Sequence, residues 1–520
     1  MKKCYNDYNS ILIVEPIQYV ENIKRFKEII GEKQMELSKI KKLNQSIYLL
    51  DTEINRNAKM MVIATLIFCS KNIDFWDVSK LTTLVNFNTS NSPIDDLIKL
   101  AKIEIDKLSL NDKTRQAVYT SLTIISGVNT KLNNDRGSFQ NFVKDFIINY
   151  LPELKNDKTL FLETLYMEVD KKAKGSNEGI TLTPDFAAQL MVDLVELDYK
   201  KDVVTDLASG TGLFSLLSYS VMINNLNADK ENNKITVAEY ENYSKRLVNS
   251  VVANDFDAKM TTLCLANFII KGLNTERLFN ENIFDLNVSS LNVNPTKGIL
   301  NPPYEDNYKP VEIVLQNIKL IKSNNTQNIK KVVVIIPPQK FGQKRAVFKQ
   351  ILDYATLKSV IKMQDDLFTD SGQTPSTSIF MFDLSRNHLA SDVIKYYDFT
   401  DSGYVYLKDS GMVDKNGRHN DLKAELLDKV LLSKSVEEKS TFVRDWSNFY
   451  EVNKEIETSA KINPNLIATS KEEADITLEN ITIKKMLKEK QDLINQAKNE
   501  YKDTDNTLEN YIIDILSEEI

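Results

Sequence analysis

The chain has 520 residues, is 42% hydrophobic and 27% charged, and carries a net charge of −7. That length gives two to four domains with an ample core, and three distant cysteines (Cys4, Cys69, Cys264) with only two histidines (His388, His419) argue against a disulfide framework, a zinc site or a histidine-based triad. The acidic balance excludes a broad basic surface for nucleic acid and leaves only a local basic face for such a partner.

The longest apolar stretch, Met60 to Cys69, is too short to span a bilayer, and the start "MKKCYNDYNS" has no apolar core of a signal peptide. A cytoplasmic protein without bound metal is expected. Residues 1–178 read as mainly helical, with Ile23, Phe26, Ile29 and Ile30 at helical spacing. "FQNFVKDFIINYLPEL" (Phe139 to Leu154) is a second amphipathic stretch, expected to end near Pro152. No catalytic constellation stands out here; the segment reads as a helical recognition or assembly domain.

Residues 179–385 change character. "GITLTPDFAAQLMVDLVEL" predicts a helix with Thr183 as N-cap, Pro184 at the first helical position, and Phe186, Leu190, Leu194 and Leu197 on its buried face. Short β-branched runs then alternate with helical segments: "VVTD" (Val203 to Asp206), "VVAND" (Val251 to Asp255), "GIL" (Gly298 to Leu300), "VVVIIP" (Val332 to Pro337) and "SIFMF" (Ser378 to Phe382). Such alternation predicts an α/β fold with a doubly wound, mainly parallel sheet, and ligands bind beyond the carboxyl ends of its strands.

The first strand ends in Asp206 and runs into "LASGTGLF". Gly210 and Gly212 permit a tight turn and close approach of a ligand, and the following helix start favours an anionic group such as a carboxylate. Asp255, with Asp257 as the alternative, is placed to accept hydrogen bonds from ribose hydroxyls, and Asn282 to meet a purine edge. After the third run comes "NPPY". The rigid rings of Pro302 and Pro303 can aim the Asn301 amide oxygen and the Pro302 carbonyl at one point, with Tyr304 free to stack beside it. Two converging acceptors and a stacking ring suit an exocyclic amine; adenine N6 and cytosine N4 both fit.

Residues 386–520 are more polar. "DSGYVYLKDSG" reads as turns and a hairpin. Charged helices follow, with apolar stripes at Ile483, Met486, Leu487 and Ile494 and again at Leu508, Tyr511, Ile512, Ile515 and Leu516. They suit helices docked on their own domain or a partner-binding region.

"TDLASGTG" followed by "NPPY" resembles the S-adenosylmethionine-dependent amino-methyltransferases of DNA. "TP" at Thr183–Pro184 and the stretch from "VVVIIPPQKF" to "LFTDSGQTPSTSIFMF" extend the resemblance to the modification subunits of type I restriction-modification systems, over roughly residues 180 to 385. Motif order is that of the adenine-N6 group. Ser209 and Leu213 depart from the commoner residues around the glycine turn, and the N-terminal region matches the family's helical domain poorly.

The resemblance implies a Rossmann-like methyltransferase sheet at 179–385, flanked by an N-terminal helical domain (1–178) and a C-terminal helical region (386–520). It implies S-adenosyl-L-methionine held by Thr183, Pro184, Asp206, Ala208, Gly210, Gly212, Asp255 and Asn282. Asn301, Pro302, Pro303 and Tyr304 would act on an adenine extruded from double-stranded DNA, with Phe368 as a second stacking ring. Partners implied are a specificity subunit, a second copy of the chain and a separate restriction subunit. Lys340, Lys344, Arg345 and Lys349 would face phosphate or form a solvated helix face. The competing readings are methylation of protein glutamine or RNA, and a methyltransferase fold kept as a scaffold.

Overall fold

The computed structural model describes residues 39–48, 56–85, 92–126, 136–155, 161–170, 182–324, 328–369, 375–389, 392, 394–407, 411–414 and 416–431. The helical readings around Ile23 and beyond residue 431 lie outside these residues. Its strands in chain order are β1 (Val204–Asp206), β2 (Val251–Asn254), β3 (Leu278–Phe279), β4 (Lys297–Leu300), β5 (Lys331–Ile336), β6 (Thr356–Met363), β7 (Ser378–Asp383), β8 (Lys395–Phe399), β9 (Tyr404–Leu407) and β10 (Gly411–Asp414). The chain forms two compact units, interleaved in sequence. One is drawn from 1–180, 209–220 and 244–283, the other from 181–208, 221–243 and 284–520.

The first unit is mainly helical. Met60 to Cys69 lies within the helix Arg56–Cys69 and all ten residues are buried, as an all-round apolar helix inside a core must be. The helix Ala258–Lys271, capped by Asp257 and ended by Gly272 in the left-handed region, packs against Arg56–Cys69 and Asp112–Ser126. β2 and β3 pair in parallel beside it. Among the described residues, no helix is long and apolar enough to cross a membrane.

The stop expected near Pro152 falls three residues past it, at Lys155. The chain stays helical through Pro152: Arg136–Asp145 passes into a π-helical turn, Phe146–Tyr150, and then into Leu151–Lys155. Proline has no N–H to donate, but at the start of a helical segment none is required; the wider turn, with Leu151 N–H bonded to the Phe146 carbonyl, shifts the register there.

In the second unit the strand order is β1-β4-β5-β7-β6-β8. β1, β4 and β5 are parallel, whereas β7 runs antiparallel to both β5 and β6, so the sheet is less uniformly parallel than the apolar runs suggest. β8 pairs in parallel with β6, so the sheet continues past residue 385. The expected hairpin is β9 with β10. The helix Pro310–Lys322 lies against β4 at Gly298, where a side chain would place its first carbon 2.6 Å from the Asn317 amide oxygen and 2.8 Å from Ile321. Only glycine lets helix and strand approach so closely just ahead of Asn301.

Candidate active site

In the second unit β4 ends at Leu300 and the chain enters Asn301–Tyr304 without regular structure. Asn301 Nδ2 donates to Thr183 Oγ1 at 2.9 Å. This changes the role expected of Thr183: Pro184 occupies the N-cap of the helix Asp185–Leu194, no side chain caps it, and the buried Thr183 hydroxyl serves Asn301. Because the nitrogen end of the amide is committed to Thr183, the oxygen end is the one aimed elsewhere as an acceptor. Pro302 is buried and Pro303 half-buried.

The Tyr304 ring meets Phe368 edge to face, centroids 5.8 Å apart at 82°. Tyr304 is 9% exposed and Phe368 only 1%, so Phe368 backs Tyr304 from within the core. The Tyr304 hydroxyl is buried with no hydrogen-bond partner among the described residues. Burial pushes this phenol well above its ordinary pKa, so it stays neutral. Asp206, ending β1, is fully buried, and Ala208 is half-buried in the turn that follows.

The first unit holds the glycine turn. Gly210 (φ +53°) and Gly212 (φ +93°) both adopt the left-handed side of φ, and a side chain at Gly212 would stand 2.7 Å from Cys264 Sγ. Gly210 N–H donates to Asp255 Oδ2 at 2.7 Å, and Asp257 N–H to Asp255 Oδ1 at 2.8 Å. Burial nonetheless pushes the Asp255 carboxyl up to about 7, the two backbone donors pulling the other way. Asp257 is engaged otherwise: its carboxylate caps Ala258–Lys271 by accepting from the N–H groups of Lys259 and Met260. Asn282 is exposed, in the loop after β3. Ser209 Oγ is buried without a hydrogen-bond partner among the described residues, and Ser209 N–H donates to the Asn254 carbonyl at 3.0 Å.

Three residues here, Glu163, Asn267 and Phe256, are not among the sequence-based candidates. Glu163, buried in Phe161–Asp170, accepts a hydrogen bond from Thr211 Oγ1 inside the glycine turn, while Asn267 Nδ2 holds the Thr211 carbonyl at 2.9 Å. A separation of 48 residues hides that pairing from local pattern. Phe256, immediately after Asp255, is 77% exposed. An exposed ring beside the acid that follows β2 is a signal the "VVANDFD" stretch carries.

The four basic candidates divide. Lys340 pairs with Asp306 at 2.8 Å and Lys344 with Glu312 at 3.8 Å, whereas Arg345 and Lys349 are exposed on the helix Arg345–Tyr354.

Residues 164–340 match the family model described as N-6 DNA Methylase. The match is confined to that segment. Both the glycine turn and "NPPY" fall inside it, and Thr183 near its start. A curated relative, the type II restriction enzyme and methyltransferase RM.BcgI of Heyndrickxia coagulans, is 26% identical over 246 residues, covering 46% of this chain and 36% of that one. The chain thus spans about a third of that relative's length. The fold is shared with a methyltransferase subunit of the type I restriction-modification system from Streptococcus thermophilus (TM-score 0.51, 12% identity, 79% of this chain and 98% of that one). It is shared equally with a modification subunit assigned to a type I restriction enzyme of Vibrio vulnificus YJ016 (TM-score 0.50, 15% identity, 77% and 90%).

Proposed function

We propose that this chain is a DNA adenine-N6 methyltransferase, acting as the modification subunit of a restriction-modification system. The observation that carries the reading is the fixed Asn301 amide at the end of β4, oriented by Thr183, with Tyr304 beside it in an N-6 DNA methylase segment.

The residues fit S-adenosylmethionine as donor. Ser209 Oγ is an orphaned polar atom at the glycine turn, and Gly212 leaves that turn bare where a side chain would strike Cys264. We assign the donor's binding to Thr183, Pro184, Asp206, Ala208, Gly210, Gly212, Asp255 and Asn282. The exposed Phe256 ring offers a platform for its adenine. When bound, the donor supplies an activated methyl on a sulfonium sulfur.

This chain's own work is on the acceptor. The Asn301 oxygen and the Pro302 carbonyl accept from the two N–H bonds of the target amine and stabilise the positive charge that grows on nitrogen during attack. Tyr304, neutral and backed by Phe368, holds the extruded ring and offsets part of the unstacking cost. A phenol raised so far is no base at neutral pH, and neither histidine is needed. One proton leaves the nitrogen for solvent after methyl transfer, when the alkylated amine is acidic.

Arg345 and Lys349 are the basic side chains of the cluster left to phosphate by the pairings of Lys340 and Lys344. The net charge of −7 favours base reading by a specificity subunit, with a second copy of this chain and a separate restriction subunit completing the assembly. Incubation with tritiated donor and DNA, RNA or protein, with and without the product of the neighbouring gene, tests the reading. Label in DNA is expected; label only in RNA or protein overturns it.

A further inference from the structure

A chain of contacts within the second unit joins the two sides of the Asn301 loop through residues more than 60 positions further along the sequence. It starts at Thr183, which holds Asn301. Three residues on, Phe186 stacks on Tyr404 of β9, centroids 4.1 Å apart and planes 9° off parallel. His419 closes this cluster, meeting Phe186 at 5.3 Å and Tyr404 at 4.8 Å, edge-on to both. Its Nδ1 lies 2.7 Å from the Ser402 carbonyl, which accepts, so Nδ1 carries the proton.

Ser402 is fully buried, and its hydroxyl donates to Gln364 Oε1. Gln364 Nε2 reaches Asp366 Oδ1 at 2.7 Å and the Tyr404 carbonyl at 3.4 Å. The Gln364 carbonyl accepts from Leu367 N–H at 3.3 Å, and the next residue, Phe368, is the ring behind Tyr304. The path therefore returns to the loop three residues after it left. Gly403 (φ +84°) makes it possible: a side chain there would sit 2.9 Å from the His419 backbone nitrogen.

We propose that Tyr404, His419 and Gln364 are positioning residues for methyl transfer, holding the Thr183 and Phe368 supports of the Asn301–Tyr304 loop in fixed register. This rests on the methyltransferase reading above. The physical reason is the sensitivity of in-line transfer to placement: an acceptor pair that drifts by a fraction of an ångström loses its grip on the amine while leaving the fold intact. Buried, satisfied polar links and stacked rings supply that stiffness. None of the three residues touches the Asn301–Tyr304 loop directly in these contacts, so their effect runs through Thr183 and Phe368.

The test uses the full chain, with its partner subunit where activity requires one. Tyr404→Ala and His419→Ala are compared with the conservative Tyr404→Phe, which keeps the stacked ring, and His419→Asn, which keeps a donor near Nδ1. Two readouts are taken: kcat with donor affinity by titration, and amide hydrogen exchange across Phe186–Ala188 and Gln364–Thr369 with β5 as internal reference. At saturating donor, a kcat loss of about tenfold or more is expected for the alanine variants. Exchange should quicken in those two segments but not in β5, and both conservative variants should recover most of the rate. Unchanged exchange and rate overturn it. Exchange quickened equally in β5 also overturns it, since the residues would then serve stability alone. Should the unaltered chain methylate nothing, the activity reading fails, and the exchange pattern still decides whether these residues hold the two supports.

Discussion

The Asn301 amide nitrogen and the Thr183 hydroxyl, 118 positions apart in sequence, meet at 2.9 Å. This bond fixes which end of the amide can accept from a substrate. Losing it would let the amide turn and present nitrogen, a donor, to an amine that offers only donors. Thr183→Val should therefore lower kcat by roughly tenfold, the rate equivalent of about 1.4 kcal/mol, while Thr183→Ser stays near the parent. Single-turnover rates at saturating donor check this.

Asp255 gives a pH signature. Its carboxyl is raised to about 7, so at pH 6 the folded protein holds it mostly protonated. Ribose hydroxyls bind best to the ionised form. Donor affinity should rise as pH climbs from 6 to 8, by up to tenfold per unit below the pKa, and Asp255→Asn should bind weakly with little pH dependence. Stability of the donor-free protein runs the other way. A carboxyl whose folded pKa exceeds its unfolded value contributes stability below the unfolded value and loses it as pH rises through the folded one. The Tm difference between the parent and Asp255→Asn, which also loses one of the two backbone hydrogen bonds, should thus move in the parent's favour as pH falls from 8 toward 4.

Gly212 faces two costs if substituted, its φ of +93° and the 2.7 Å approach to Cys264 Sγ. Gly212→Ala should destabilise by about 1–3 kcal/mol and weaken donor binding. Adding Cys264→Ala removes the collision but not the backbone cost, so the double variant should recover only part of the loss in Tm.

Tyr304→Phe removes a buried hydroxyl that has no partner among the described residues. Melting should show the variant as stable as the parent or more so, because desolvating an unpaired hydroxyl costs about 1–3 kcal/mol. Methyl transfer should survive, since the ring is what stacks. Tyr304→Ala should lose nearly all activity.

Local signals were legible in the sequence. The glycine turn after β1 and the proline pair after β4 announce themselves through residues that break regular structure, and both lie at strand ends in the structure. β6 was not read as a strand, because Lys358, Ser359 and Lys362 interrupt its apolar run even though most of it is buried. The direction of β7 was invisible too: an apolar run looks the same in either sense, and only its register with β5 and β6 decides. The capping role of Asp257, the alternative to Asp255 two positions away, shows only in the hydrogen bonds of the folded chain. Glu163 against Thr211, and Tyr404 against Phe186, depend on tertiary contact between distant segments, which no spacing rule reports.

The most direct measurement is the identity of the methylated nucleoside. DNA treated with the chain, its partner and S-adenosylmethionine is digested and analysed by mass spectrometry, alongside the same reaction with Asn301→Ala. The account predicts N6-methyladenine from the parent protein and almost none from the variant. N4-methylcytosine in its place, or equal N6-methyladenine from both, would contradict it.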